Sequence, residues 1–551
     1  MRYLTNTILK LAILSTVIVT FYSGHTAFAK AKENIVHFPE NRSMGMLYVL
    51  DSDKVDTGTY DDWQVLCEAT GKVTVPAGKA LRLDLSKKAG KDLSPLSKLR
   101  PDDLTMLFCR GVKILDEQLK HISHLTGLNE LYLSDTNILG TGFKYLTNMR
   151  SLKRLRFDET HVGDNELAYL SDLPSLKSLN LWMTPTNDAG MIHVGKITSL
   201  EYLVLSRGIG DEGLSHLKNL TSLRHFYAGS RSTSDNGLAN LANMTQIETL
   251  HLGYTQVSDE GLVHLKKMTK LKSLDLGKNV TEKGLVHLVG LKDLELLGLP
   301  FSVSDTALIY LSKLQSLKEI EIDGDLITTE GLTALSKMNS LERIFIDDTD
   351  KMDAIVGNLT KLSTIRSLDL GRGLTDDGLM QLKNMQSLQE LDIKTAKVTS
   401  KGITSLNLLP SLQTLEFANM KLSSEEQWDA LGKLTLLKRL TLMAIHSKVT
   451  DAHLAHLSGL QSLKELSIHA TVIKDRKAIS LLDVTDKGLE HISKLQSLER
   501  LFLYDAKITD NGLMHMEKLD SLKWMNLQGC KVTEEGLDRL KKKLPALRWH
   551  L

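Results

Sequence analysis

The stretch Ile247–Lys270, IETLHLGYTQVSDEGLVHLKKMTK, decides the fold. Leu250 and Leu252 stand two apart and put apolar groups on one side of a short strand. Val257 turns the chain inward. Ser258 suits a helix N-cap, and Asp259 and Glu260 place negative charge at the positive end of the short helix that follows. Leu262, Leu265 and Met268 recur every three residues and give that helix a buried face. Gly261 reads as a point of close approach between neighbouring coils. One such unit cannot bury its own apolar residues, so the stretch makes sense only as one coil of a stack.

Working outward, eighteen units open on a leucine or isoleucine between Leu104 and Leu522, most of them 23 or 24 residues apart. The unit from Leu437 has 26 residues and the unit from Leu463 has 35. Kindred helical starts are LTDDGL from Leu374, VTDKGL from Val484 and ITDNGL from Ile508. Right-handed strand, turn, helix and return in each unit lays successive strands side by side. The expected architecture is therefore an α/β solenoid over residues 104–551: one curved horseshoe with a parallel sheet on its concave face and short helices on its convex face. No strand between Leu128 and Leu527 is expected to pair antiparallel with its sequence neighbour. Residues 30–103 lack the repeat. Their alternating runs Val73-Thr74-Val75 and Leu81–Leu85 read as short strands of a small, mainly β N-terminal cap that covers the open end of the stack and merges into the first coil near Leu83.

The motif L-x-x-L-x-L followed by VTDxGL and a short helix resembles the leucine-rich repeat superfamily. Its helical half is similar to exported bacterial leucine-rich repeat proteins and to the cysteine-containing repeats of eukaryotic F-box proteins. The chain departs from that pattern in the turn, where Thr136, Thr160, Thr184, Thr255 and Thr349 stand in place of the usual asparagine or cysteine, with Asn279 and Cys530 as exceptions. The resemblance implies a protein-binding horseshoe. No F-box helical segment precedes the repeats.

Residues 1–29 read as an export signal: Arg2 and Lys10 mark the charged region, Leu11 to Tyr22 the apolar core, and Ala27-Phe28-Ala29 the cleavage site. The apolar core is shorter than the ~20 residues a bilayer-spanning helix needs, so the mature chain would begin at Lys30 with no membrane span, in the periplasm or outside the cell. Lys+Arg 68 against Asp+Glu 67 leaves no excess of positive charge for a nucleic acid or an anionic membrane. Cys67, Cys109 and Cys530 are too scattered for a disulfide framework or a C-x-x-C metal site.

Chemical motifs dissolve into the repeat. The G-x-G-x-x-G of Gly208, Gly210 and Gly213 is out of register with a nucleotide loop, since Gly213 is the repeat glycine and Asp211 the repeat acid. His216, His264, His287, His491 and His515 share one helical position, but no thiolate or carboxylate stands in matching register to complete a metal site. No catalytic residue, metal or cofactor is expected. The surface expected to bind is the sheet face, read two, four and six residues after each opening leucine. In the N-terminal third it carries Tyr132, Arg154, Arg156, Trp182, Tyr202, His225, Tyr227 and His251, the residue types that dominate interface energetics. Trp182, Tyr202 and Tyr227 are expected to form one patch. The middle of the face is acidic, with Asp369, Asp392 and Glu416 among others, and Phe502, Tyr504 and Trp524 turn it aromatic again near the C-terminus. The extra residues Ile473 to Asp483 are expected to form a basic turn and a short apolar segment bulging from one edge, which is where repeat insertions often bind. The functional expectation is an exported scaffold holding a protein or peptide partner. The alternatives are a cell-envelope spacer and, further off, a hydrolase or an F-box-like adaptor.

Overall fold

The computed structural model describes residues 34–57, 59–394, 397–474 and 477–550. The expected export signal lies outside the described residues. The chain divides into two compact units, Met1–Leu291 and Lys292–Leu551.

In the first unit the strand Gly45–Asp51 pairs antiparallel with Gln64–Glu68 on one side and Lys79–Leu85 on the other. Asn34–His37 pairs antiparallel with Lys72–Val75. Lys79–Leu85 then accepts Met106–Phe108 in parallel, with Leu83 opposite Leu107, so the antiparallel N-terminal strands pass directly into the parallel run. Three-residue parallel strands follow from Glu130–Tyr132 to Ser273–Asp275. Their central residues, Leu131, Leu155, Leu179, Leu203, Phe226, Leu250 and Leu274, point into the stack and are buried. Their flanking residues face the other way, as a period of two requires.

The second unit carries a ten-stranded parallel sheet from Glu319–Ile322 to Arg548–His550. One strand pair departs from the parallel rule. Thr471–Lys474 and Lys477–Ser480 form an antiparallel hairpin, with Thr471 opposite Ser480. This corrects the all-parallel expectation and the expected apolar bulge, since Ile479 and Leu482 lie in strands; Lys474 stands opposite Lys477, so the chain reverses within the run expected as a basic turn. The insertion is too short for another coil, yet long enough for two four-residue strands that satisfy each other's backbone groups. After the hairpin, Leu482–Asp483 pairs parallel with Val449–Thr450.

The helical halves explain the TDxGL motif more fully than the sequence did. The aspartate of one coil accepts the backbone N–H and the hydroxyl of the residue that caps the next coil's helix. Asp259 takes Thr281 at 2.7 and 2.6 Å, Asp376 takes Thr399 at 2.8 and 2.5 Å, and Asp486 takes Thr509 at 2.8 and 2.8 Å. The repeat glycine makes room for this carboxylate: a Cβ on Gly512 would stand 2.5 Å from Asp486 Oδ1. The capping threonine in turn accepts from its own helix, as Thr509 does from the Asn511 N–H. Coil-to-coil cohesion therefore runs through an aspartate ladder as well as through the leucine core.

Candidate functional site

The outward sheet face of the first unit falls into two parts. Its N-terminal part is covered by the cap. Val55 packs into a cluster with Leu50, Trp63, Ala80 and Met106, on which Tyr48 and Tyr132 also lie. The Tyr60 ring lies tilted against Phe108 at 5.5 Å, and Phe108 tilted against Tyr132 at 5.3 Å. Asp56 pairs with Lys153 at 2.7 Å, and its carbonyl accepts from Arg154. Tyr132 donates to Glu130 at 2.9 Å, Glu130 also pairs with Arg154, and Arg156 lies 3.3 Å from Asp158. Tyr132 and Arg154 are thus tied into the cap, while Arg156 lies over the Tyr132 ring at 5.7 Å.

Beyond them the face is open. Tyr202 lies 5.5 Å from Tyr227, and Tyr227 stacks on His251 at 4.4 Å with the rings 12° apart. Parallel register produces this row, because Tyr227 pairs with Val204 on one side and His251 on the other. Burial pushes the Tyr202 and Tyr227 phenols up, so both remain neutral donors. His251 Nδ1 stands 3.5 Å from Asp275 Oδ2. His225 is buried beneath the row with Nδ1 3.1 Å from Thr249 Oγ1, and burial lowers its pKa.

Trp182 stands apart from this row. The strand ends at Asn180 and Trp182 occupies the turn, where its N–H donates to Asn180 Oδ1 at 2.9 Å and Met183 follows in left-handed backbone. It is 38% exposed, and among the described residues its ring takes part in none of the ring contacts that join Tyr202, Tyr227 and His251. The structure therefore brings together Tyr202, Tyr227, His225 and His251, ties Tyr132 and Arg154 to the cap with Arg156 against Tyr132, and leaves Trp182 beside Met183.

The hexamer Gly208 to Gly213 serves the ladder: the Gly210 N–H that a phosphate would need donates to Asp188 Oδ1 at 2.6 Å. Among the described residues no group of three or more His, Cys, Asp or Glu side chains is placed to hold a metal ion, and no helix is long and apolar enough to cross a membrane.

In the second unit, register lines up Asp369, Asp392 and Glu416 on adjacent strands, and Lys394 pairs with Asp369 at 2.6 Å. Burial, with Asp369 and Glu416 alongside, pushes Asp392 up to about 7. A carboxyl raised in the folded state contributes stability that is present below its ordinary value near 3.8 and lost as the pH rises through about 7. Asp392→Asn is therefore expected to stabilise the protein by about 1–3 kcal/mol near pH 8, after allowance for solvent screening, and to change little near pH 4. Urea unfolding at the two pH values checks this, and an equal effect at both would remove the charge argument.

The chain matches no family model and no curated protein. Among solved structures it is similar to an internalin of Listeria monocytogenes, at 16% identity over 85% of this chain and 89% of that one, with a TM-score of 0.27. It is also similar to the plant peptide hormone receptor RGFR1 in complex with RGF2, at 14% identity over 83% of each chain and a TM-score of 0.34. A third is TLR13 in complex with ssRNA13, at 18% identity over 85% of this chain and 65% of that one, with a TM-score of 0.46. Superpositions this loose carry no argument about function, and the fold stands on the chain's own strand register.

Proposed function

On a leucine-rich repeat fold with an open sheet face, we propose that this chain is an exported binding module that holds a protein or peptide partner and performs no catalysis. The observation that carries the reading is the half-buried row Tyr202, Tyr227 and His251, in contact across three adjacent strands. Rigid aromatic side chains that present an edge to solvent supply contact area at low entropic cost, which is why they anchor interfaces. Trp182 and Met183 add exposed apolar surface at the strand end. Export is part of the proposal and is supported by the charged, apolar and Ala-Phe-Ala segments of residues 1–29; a mature N-terminus at Lys30 in material recovered outside the cytoplasm is the expected result.

The binding test uses a random peptide display library panned on the full mature chain. Peptides recovered with saturable affinity are expected to bind Tyr227→Ala at least ~30-fold more weakly, and Trp182→Ala more weakly to a lesser degree. Glu321→Ala, in the acidic face of the second unit, should bind as the parent does. Equal binding to all three variants would place recognition elsewhere and leave the aromatic row as mere cover for the sheet.

A further inference from the structure

Four described helices begin with a cap in which the third residue's side chain reaches back to the capping residue's N–H; in the short Tyr60–Asp62 turn it is Asp62, which accepts from the Thr59 N–H at 2.6 Å. At Asp116–Ile122 the reaching group is Gln118, which accepts from the Leu115 N–H at 2.9 Å. At Glu425–Gly432 it is Gln427, which accepts from the Ser424 N–H at 3.2 Å. Each glutamine spends its amide NH2 on a carbonyl of the preceding coil, Gly90 or Val398. At Asp451–Leu457 the same position holds His453, whose Nδ1 accepts from the Thr450 N–H at 3.2 Å. Its Nε2 stands 3.3 Å from Glu425 Oε1, and its ring lies flat on fully buried Trp428, 4.8 Å away with the planes 2° apart. His453 does the work of a glutamine with a group that titrates.

The residue it caps also seats the insertion. Thr450 belongs to the two-residue strand Val449–Thr450, which pairs with Leu482–Asp483 directly after the hairpin. The Val449 N–H donates to the Leu481 carbonyl at 3.0 Å, and Lys448 and Lys507 both pair with Asp483 at 2.5 Å.

We propose that His453 is an acid-responsive latch for the inserted hairpin: protonation turns Nδ1 from the acceptor of the Thr450 N–H into a second donor, opens this cap and loosens the bridge between Val449–Thr450 and Leu482–Asp483. An imidazolium has two N–H donors and no acceptor, so the cap and the charged ring are mutually exclusive. The surroundings weigh on both sides. From the preceding helix Glu425 favours the charge, with Asp429 behind it. From its own helix His456 opposes the charge, and Asp451 is committed to Thr485. On the following helix the titratable groups are Asp486, Lys487, Glu490 and His491, and at the bridge they are Lys448, Asp483 and Lys507. Burial and His456 outweigh Glu425, and His453 is held below the ordinary histidine value of 6.5. A group depressed in this way keeps the cap intact above that value and gives it up as the pH falls through the lower, folded one. Insertions in repeat proteins are often binding elements, so the latch would make presentation of the hairpin depend on acidity.

Hydrogen exchange on the full chain tests the idea through peptides spanning Val449–Thr450 and Leu482–Asp483, corrected for intrinsic exchange. From about pH 7.5 to about pH 5, protection there should fall at least ~10-fold in the parent and less than ~2-fold in His453→Gln, which keeps the acceptor without the titration. His456→Ala should keep the response and move it to somewhat higher pH, because it removes a group that opposes the charge on His453. A flat parent profile, an equal fall in His453→Gln, or a response abolished by His456→Ala alone would each overturn the latch, and the first needs no variant to fold.

Discussion

Gly512→Ala is expected to destabilise the protein by about 2–4 kcal/mol, although at an ordinary helical site the same change stabilises by about 0.5–1 kcal/mol. The sign is decided by the preceding coil. The new Cβ would meet Asp486 Oδ1 at 2.5 Å and Leu489 Cδ1 at 3.1 Å, while that carboxylate holds the Thr509 N–H and hydroxyl. To admit the methyl group, Asp486 must leave hydrogen bonds to a charged acceptor, each a strong kind of bond. Asp486→Ala alone should cost about 1–3 kcal/mol by leaving Thr509 unserved. In the double variant the obstacle and the bonds vanish together, so its loss should fall short of the sum by more than about 1 kcal/mol. Additive losses in denaturant unfolding would show that the glycine answers to something other than the aspartate ladder.

The same pair shows what could be read from sequence and what could not. Leucine spacing fixed the strand and helix faces because burial acts locally and with a clear period, and the central strand leucines are buried as expected. An aspartate at the start of each helix was equally visible, but its period matches a charge serving its own helix and one serving the next, and only the stacked coils separate the two. Trp182 was placed on the sheet face by counting in twos. The count fails where the strand stops at Asn180, and the left-handed backbone at Met183, as at Asp135 and Glu159, turns the chain off the sheet plane. The row Tyr202, Tyr227 and His251 was legible because all three lie within strands of common register. The extra length after Leu463 was plain, whereas its hairpin pairing was not. The covering of Tyr132 and Arg154 by residues near Asp56 had no local signal, since it joins segments almost a hundred residues apart.

That cover rests on one arginine, and Arg82→Ala is expected to cost about 3–5 kcal/mol. Arg82 is 1% exposed, and its Nε and Nη2 donate to the two oxygens of Asp84 at 2.5 Å each. Its guanidinium lies 3.6 Å from the centre of the Tyr60 ring and 4.6 Å from that of Tyr48, with Phe108 at 5.5 Å. Tyr60 closes the arrangement by donating to Asp84 Oδ2 at 3.1 Å. A buried fork on a carboxylate satisfies the charge, and the flanking rings favour a flat, weakly hydrated cation. Alanine removes all of this and leaves Asp84 without its partner. Arg82→Lys keeps the charge but loses the fork and the flat stack, so it should recover only part of the loss. Arg82→Met with Asp84→Asn should cost less than Arg82→Ala, because the stranded carboxylate is gone. Denaturant unfolding ranks the three variants, and Trp63 fluorescence, 5.9 Å from the guanidinium, reports whether the cap has moved. If the loss for Arg82→Ala is below about 1 kcal/mol, Val55 and the Asp56–Lys153 pair must hold the cover instead. If the loss is as large as expected and Trp63 shifts, freeing the cover would lengthen the open aromatic face by Phe108 and Tyr132, and peptides selected on the parent should then gain contacts on Arg82→Ala that Tyr227→Ala does not remove.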